Sequence, residues 1–134
     1  DEAVALVKKA KEVGVRKCVV THCTQTHWHI TLDQAKVCLE NGAYLEHSIL
    51  PYYNGVHCLI PTHQKAQQTP LEEFVRYIRL DPSHQFISSD LGMSKMPNPV
   101  DGMRDCLHGL RQAGLTDKDL NLTTRRVPAL LLGI

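Results

Sequence analysis

Apolar positions along the chain change their spacing several times, and each change marks an element. In residues 2–13, EAVALVKKAKEV, Val4, Leu6, Val7, Ala10 and Val13 recur at helical spacing with lysines on the other face. Gly14 supplies the left-handed stop. VRKCVVTHC (15–23) is a short β-branched run, suited to a strand buried on both faces. A second helix is expected to open at Thr31, whose hydroxyl can cap while Gln34 reaches back, and to run through LDQAKVCLEN to Gly42. AYLEHS (43–48) reads as a second short strand. A third helix is expected to be capped by Thr69, with Pro70 in its first position and Glu72 closing a capping box; Phe74, Val75 and Ile78 form its stripe. HQFISSD (84–90) is the next strand. Asn98-Pro99 opens a fourth helix carrying Val100, Met103, Leu107 and Leu110, which stops at Gly114. A short polar helix, TDKDLN, and a final turn, VPALLLGI, complete the pattern.

Alternation of this kind means βα units and a parallel sheet. Three or four strands are visible, the fourth being VHCLI (56–60), which reads either as a strand or as a loop anchor. Pro51, Gly55 and Pro61 break up the stretch from 48 to 69, and a connection this long without regular structure is usually functional. No internal repeat or low-complexity segment competes with this organisation.

Composition narrows the function. The chain has 134 residues, 43% of them hydrophobic and 5% aromatic, enough for one core. Fifteen Lys and Arg against 14 Asp and Glu leave a formal charge of +1, with no basic face for nucleic acid. No apolar run approaches a membrane span and no signal peptide opens the chain, so neither a membrane nor a nucleic-acid partner is expected. Because residue 1 is Asp rather than Met, the chain reads as a piece of something longer. Cys18, Cys23, Cys38, Cys58 and Cys106 form no CxxC pair and sit mostly in apolar runs, as free buried thiols do. A reducing cytoplasm is the expected compartment.

Each expected strand ends on a residue able to bind a metal or move a proton: His22, His47 and Asp90. In parallel α/β sheets and (β/α)8 barrels, sites are built at the carboxyl ends of the strands. Imidazoles with a carboxylate suit zinc or a similar divalent ion, manganese included. Each position also has a plainer reading. A lone histidine at a strand end is commonly a hydrogen-bonded structural residue, and Asp before Leu-Gly is ordinary turn chemistry. Equivalent placement in successive units favours a site over three coincidences.

FISSDLG, PNPVDGMRDCLHGLRQAGLTDKDL and the closing VPALLLGI together resemble the last part of a metal-dependent hydrolase of the amidohydrolase superfamily, among its TatD- and phosphotriesterase-like members. VVTHC similarly resembles the histidine-bearing strand 5 or 6 of that superfamily. The resemblance implies the C-terminal portion of a (β/α)8 TIM barrel, three or four βα units long. It implies that Asp90 binds metal and takes a proton from the attacking water, and that His22 is a ligand. His47 matches a second ligand if AYLEHS is strand 6. If AYLEHS is strand 7, the family has no fixed ligand there, and Glu46 and His47 line the pocket or pair with each other. Small serines beside Asp90 leave room for substrate, and Gly92 turns the backbone away.

This sequence departs from the superfamily in three places. Val127 stands where the closing turn has Asn, and neither the first-strand His-x-His nor the strand-4 bridging residue is present. His27-Trp28-His29 follows a strand instead of lying on one, so it lacks the shared face that makes such a pair a chelate. His57, His63, His84 and His108 read as structural or solvent-facing. The expected activity is hydrolysis of an ester, amide or phosphoester bond in a small molecule. The competing expectation is a non-catalytic half-barrel that binds no metal. A flavodoxin-like module is disfavoured because no Gly-rich phosphate loop follows any strand. Open sheet edges predict self-association into a homo-oligomer.

Overall fold

Short β-branched runs must pair to satisfy their backbone groups, and the amphipathic segments between them must bury a stripe. A computed structural model shows both requirements met in a mixed α/β arrangement. It describes residues 2–25, 29–53, 68–94 and 96–134. Helices α1 (Glu2–Glu12), α2 (Leu32–Glu40), α3 (Leu71–Ile78) and α4 (Pro99–Gln112) alternate with strands β1 (Val19–Val20), β2 (Tyr44–Ser48) and β3 (Gln85–Ser88). The chain then runs through α5 (Asp117–Asn121), a π-helical stretch (Leu122–Arg126) and α6 (Val127–Leu132). The strands form an open parallel sheet in the order β1-β2-β3. The expected alternation and strand direction are both present.

Capping chemistry places three of the helix starts. Thr31 accepts from the Gln34 N–H at 3.2 Å while the Gln34 side chain accepts from the Thr31 N–H at 2.8 Å, the expected box. Asn98 accepts from the N–H groups of Val100 and Asp101. Thr116 and Asp119 form a second box at α5. The third helix differs from expectation: Pro70 is its N-cap and no side chain caps it. Thr69 is buried, and its hydroxyl donates to the Thr24 carbonyl at 3.1 Å, joining the loop after β1 to the start of α3. A tertiary partner outcompetes the local one because the side chain faces the core. The proposed strand at 56–60 lies outside the described residues.

Two-residue alternation divides the sheet into a dry, helix-covered face and a more polar one. Leu45 and His47 of β2 stand beside Gln85 and Ile87 of β3, in register and buried. Val7, Ala35, Cys38 and Tyr77 pack with Leu45 in one cluster. Phe74, Val75, Ile78, Cys106 and Leu110 pack with Ile87 in another. Helices α1 to α4 therefore cover a single face of the sheet. Glu46 and Ser48 point the other way, beside Phe86 and Ser88.

The chain's end is more helical than the expected turn. Leu122–Arg126 and α6 continue from α5, and Thr123 and Thr124 return their hydroxyls to carbonyls of the preceding turn. Lys17, just before β1, donates to the Leu130 and Leu131 carbonyls at 2.9 and 2.8 Å. A cation at a helix C-terminus is the favourable sign, and Gly133 at φ 78° closes the turn. This contact holds α6 near the amino end of β1, away from the strands' carboxyl ends.

Phe74 is fully buried in the second cluster, whereas the Leu130 side chain is 54% exposed. Phe74→Ala is expected to lower unfolding free energy by about 3–5 kcal/mol. Leu130→Ala should stay within about 0.5 kcal/mol of the parent. Urea titration followed by circular dichroism measures both.

Candidate functional site

Past Val20 the chain turns at His22, and past Ser88 it turns at Asp90. These are the two non-glycine residues with positive φ among the described residues, at 58° and 49°. That region crowds any side chain with a Cβ, at a cost of roughly 1–2 kcal/mol. Asp and His are among the residues that tolerate it. Strain of this kind persists only where surrounding contacts over-determine it, and it collects at functional sites.

The contacts are identifiable. Glu46, on the central strand, is 6% exposed. Its Oε2 accepts the His22 backbone N–H at 2.7 Å, and its Oε1 accepts a short hydrogen bond from the Ser88 hydroxyl. The Glu46 carbonyl accepts the Cys23 N–H at 3.0 Å. Ser48 donates to Asp90 Oδ2 at 3.3 Å. His22 Nδ1 then stands 3.8 Å from Asp90 Oδ2 and 3.9 Å from Glu46 Oε2. One imidazole faces two carboxylates across the carboxyl ends of three adjacent strands. Glu46 is buried, while the His22 and Asp90 side chains are about a third to two-fifths exposed.

His47 does not join them. Alternation along β2 puts its ring on the helix-covered face, wholly buried, with Nε2 2.7 Å from Gln85 Oε1. The Gln85 amide nitrogen donates to the carbonyls of Tyr77, Ile78 and Asp81, so its oxygen must accept, and His47 carries its proton on Nε2. Its Nδ1 is buried with no hydrogen-bond partner among the described residues. Burial pushes this imidazole down to about 4, against a smaller upward effect of the Gln85 bond. In the group at the strand ends, Glu46 stands where the sequence reading placed His47. The alternation of Ala43, Leu45 and His47 against Tyr44, Glu46 and Ser48 is the signal that separates them.

Of the other histidines, His84 pairs with Asp81 at 2.7 Å and His108 contacts the Gln112 amide, both away from this group. His29 is exposed and lines a cavity of about 190 Å³ with Thr24, Thr69, Glu73 and Tyr77. His27, Trp28, His57 and His63 lie outside the described residues. Cys23 and Cys106 are free thiols that burial pushes up to about 12, so neither is a thiolate nucleophile.

Two ligand atoms each about 2.0–2.2 Å from one zinc ion stand no more than about 4.4 Å apart. The separations of His22 Nδ1 from Asp90 and Glu46 fall inside that ceiling. As the side chains stand, however, no group of three or more His, Cys, Asp or Glu among the described residues is arranged to hold an ion. Those separations do not exclude a shared ion, and the described residues do not complete a site for one. No helix among them is long and apolar enough to cross a membrane.

A model for a family of unknown function, DUF6282, matches residues 1–46, a stretch that includes His22 and ends on Glu46. No curated protein and no solved structure matches the chain.

The unfolded His47 imidazole titrates near 6.5 and the folded one near 4, so between these values the unfolded chain binds more protons. Its contribution is full above pH 6.5 and is lost as pH falls towards 4. The difference amounts to about 3 kcal/mol. Urea midpoints measured between pH 7 and 4.5 should fall more steeply for the parent than for His47→Gln. Equal slopes would mean that His47 is not the buried neutral group described.

Proposed function

We propose that this chain is the C-terminal portion of a metal-dependent hydrolase built as a (β/α)8 barrel of the amidohydrolase type. In this reading His22 and Asp90 are ligands of a divalent ion, zinc or manganese, and Asp90 is also the general base. The observation that carries it is the meeting of His22 with Asp90 and Glu46 at the carboxyl ends of three neighbouring parallel strands, with His22 and Asp90 in left-handed backbone. The carboxyl end is where barrel enzymes hold their chemistry. β2 pairs with β3 directly. If FISSD is strand 8, AYLEHS is therefore strand 7 and β1 is strand 6.

The chain's own residues have distinct tasks in this scheme. A bound divalent ion would supply Lewis acidity and bring water's pKa towards about 7. Asp90, oriented by Ser48, accepts the proton of the attacking water. His22 donates its ring nitrogen as a neutral ligand. The small side chains of Ser48 and Ser88 leave the mouth open for an ester, amide or phosphoester of a small molecule. Further ligands would come from the preceding strands of the barrel. A second reading, a half-barrel that binds no metal, draws on the absence of a three-donor group among the described residues.

Asp90→Asn keeps the shape of the side chain and removes its charge and basicity. In the full-length barrel carrying this chain, loaded with zinc or manganese, it is expected to lower turnover per bound metal by about two to four orders of magnitude. The assay is hydrolysis of a panel of nitrophenyl esters, phosphoesters, lactones and anilides, with metal content read by elemental analysis. No metal in the parent, or near-parental turnover in the variant, would overturn the hydrolase reading.

A further inference from the structure

Glu46 is the one carboxylate of the strand-end group that is buried, and both its oxygens are occupied. Oε2 takes the His22 N–H at 2.7 Å and Oε1 takes the Ser88 hydroxyl. It projects from β2, which is hydrogen-bonded on both sides, to β1 and to β3. The side chain thus spans the sheet, anchored on the rigid middle strand and reaching the turn after β1 and the end of β3. The N–H it holds belongs to a residue at φ 58°. A left-handed residue needs an external contact to keep it there, and a carboxylate accepting a backbone N–H makes one of the stronger kind.

We infer that Glu46 is the positioning residue of this site: it fixes His22 in its left-handed conformation, and through that turn aims the imidazole at Asp90. The inference rests on the reading of His22 as a ligand. The backbone of the turn sets where the ring starts, and Nδ1 lies 3.8 Å from Asp90 Oδ2 only while the turn is held. Ser88 has a matching part. Its hydroxyl occupies Oε1 and leaves Oε2 directed at His22. Glutamine can repeat both contacts, since its oxygen can accept the His22 N–H and its amide can donate to the Ser88 oxygen. Leucine can repeat neither. The arrangement therefore asks first for an acceptor of this length, and the charge strengthens a bond that an amide can also make.

Two measurements test this. The first is hydrogen exchange of the His22 amide in the 134-residue chain. Glu46→Gln should retain protection, and Glu46→Leu should lose at least about tenfold, the equivalent of a lost hydrogen bond to a charged group. The second is zinc affinity in the full-length barrel, by competition with a chromophoric chelator. Glu46→Leu is expected to weaken zinc by about 10- to 100-fold, as outer partners of ligands do, and Glu46→Gln to leave it near parental. His22→Ala with Glu46→Leu should be no weaker than His22→Ala alone, because Glu46 acts through His22. Additive losses, or protection that survives Glu46→Leu, would overturn the inference. So would a Glu46→Gln variant with intact protection and lost zinc, since the charge would then be the requirement. Should Glu46→Leu not fold, Glu46→Gln carries that last comparison. A parent that binds no zinc defeats the hydrolase reading, and the amide exchange still judges the clamp.

Discussion

The central strand β2 is paired on both sides, so its backbone has no freedom to rotate and its side chains must alternate strictly across the sheet. The other features follow from that constraint. Leu45 and His47 are sent into the layer of helices, and Glu46 and Ser48 to the opposite face. A one-residue slip would exchange them, setting a carboxylate among Val7, Cys38 and Tyr77 and turning the core leucine away from the helices. The register is held against that slip by Gln85, which stands opposite Leu45 and is pinned by three backbone carbonyls.

The dry face tolerates His47 because the ring is neutral and one nitrogen is bonded. A buried charge without a partner would cost far more than the hydrogen bond returns. His47, Gln85 and the carbonyls around the end of α3 form a buried polar network that ties β2 and β3 to the turn following that helix. A shift of β2 against β3 would leave the Gln85 amide oxygen and His47 Nε2 unsatisfied as well. The histidine serves the fold, and the acid beside it in sequence faces His22 and Ser88.

The more polar face has the opposite economy of contacts. Its polar side chains bond to one another and to backbone at turns held in a conformation that most residues avoid. His22 and Asp90 occupy that conformation at the ends of β1 and β3, and Glu46, Ser48 and Ser88 connect them. With α6 held near the amino end of β1 by Lys17, the carboxyl ends are left to the group that supports the proposed hydrolase.

Much of this was legible along the chain. The order of elements, the Thr31 and Asn98 caps and the positions of His22 and Asp90 at strand ends follow from local chemistry and period, which are properties of a residue and its near neighbours. The parallel direction follows from the alternation of strands with helices. Thr69 shows the limit: its local pattern is a cap, yet its hydroxyl serves Thr24, 45 residues away. His47 shows the same limit for the site. Both it and Glu46 sit near the end of one strand, and strand position alone does not say which face meets His22. That choice belongs to the tertiary structure, because it depends on which side of the sheet the helices cover.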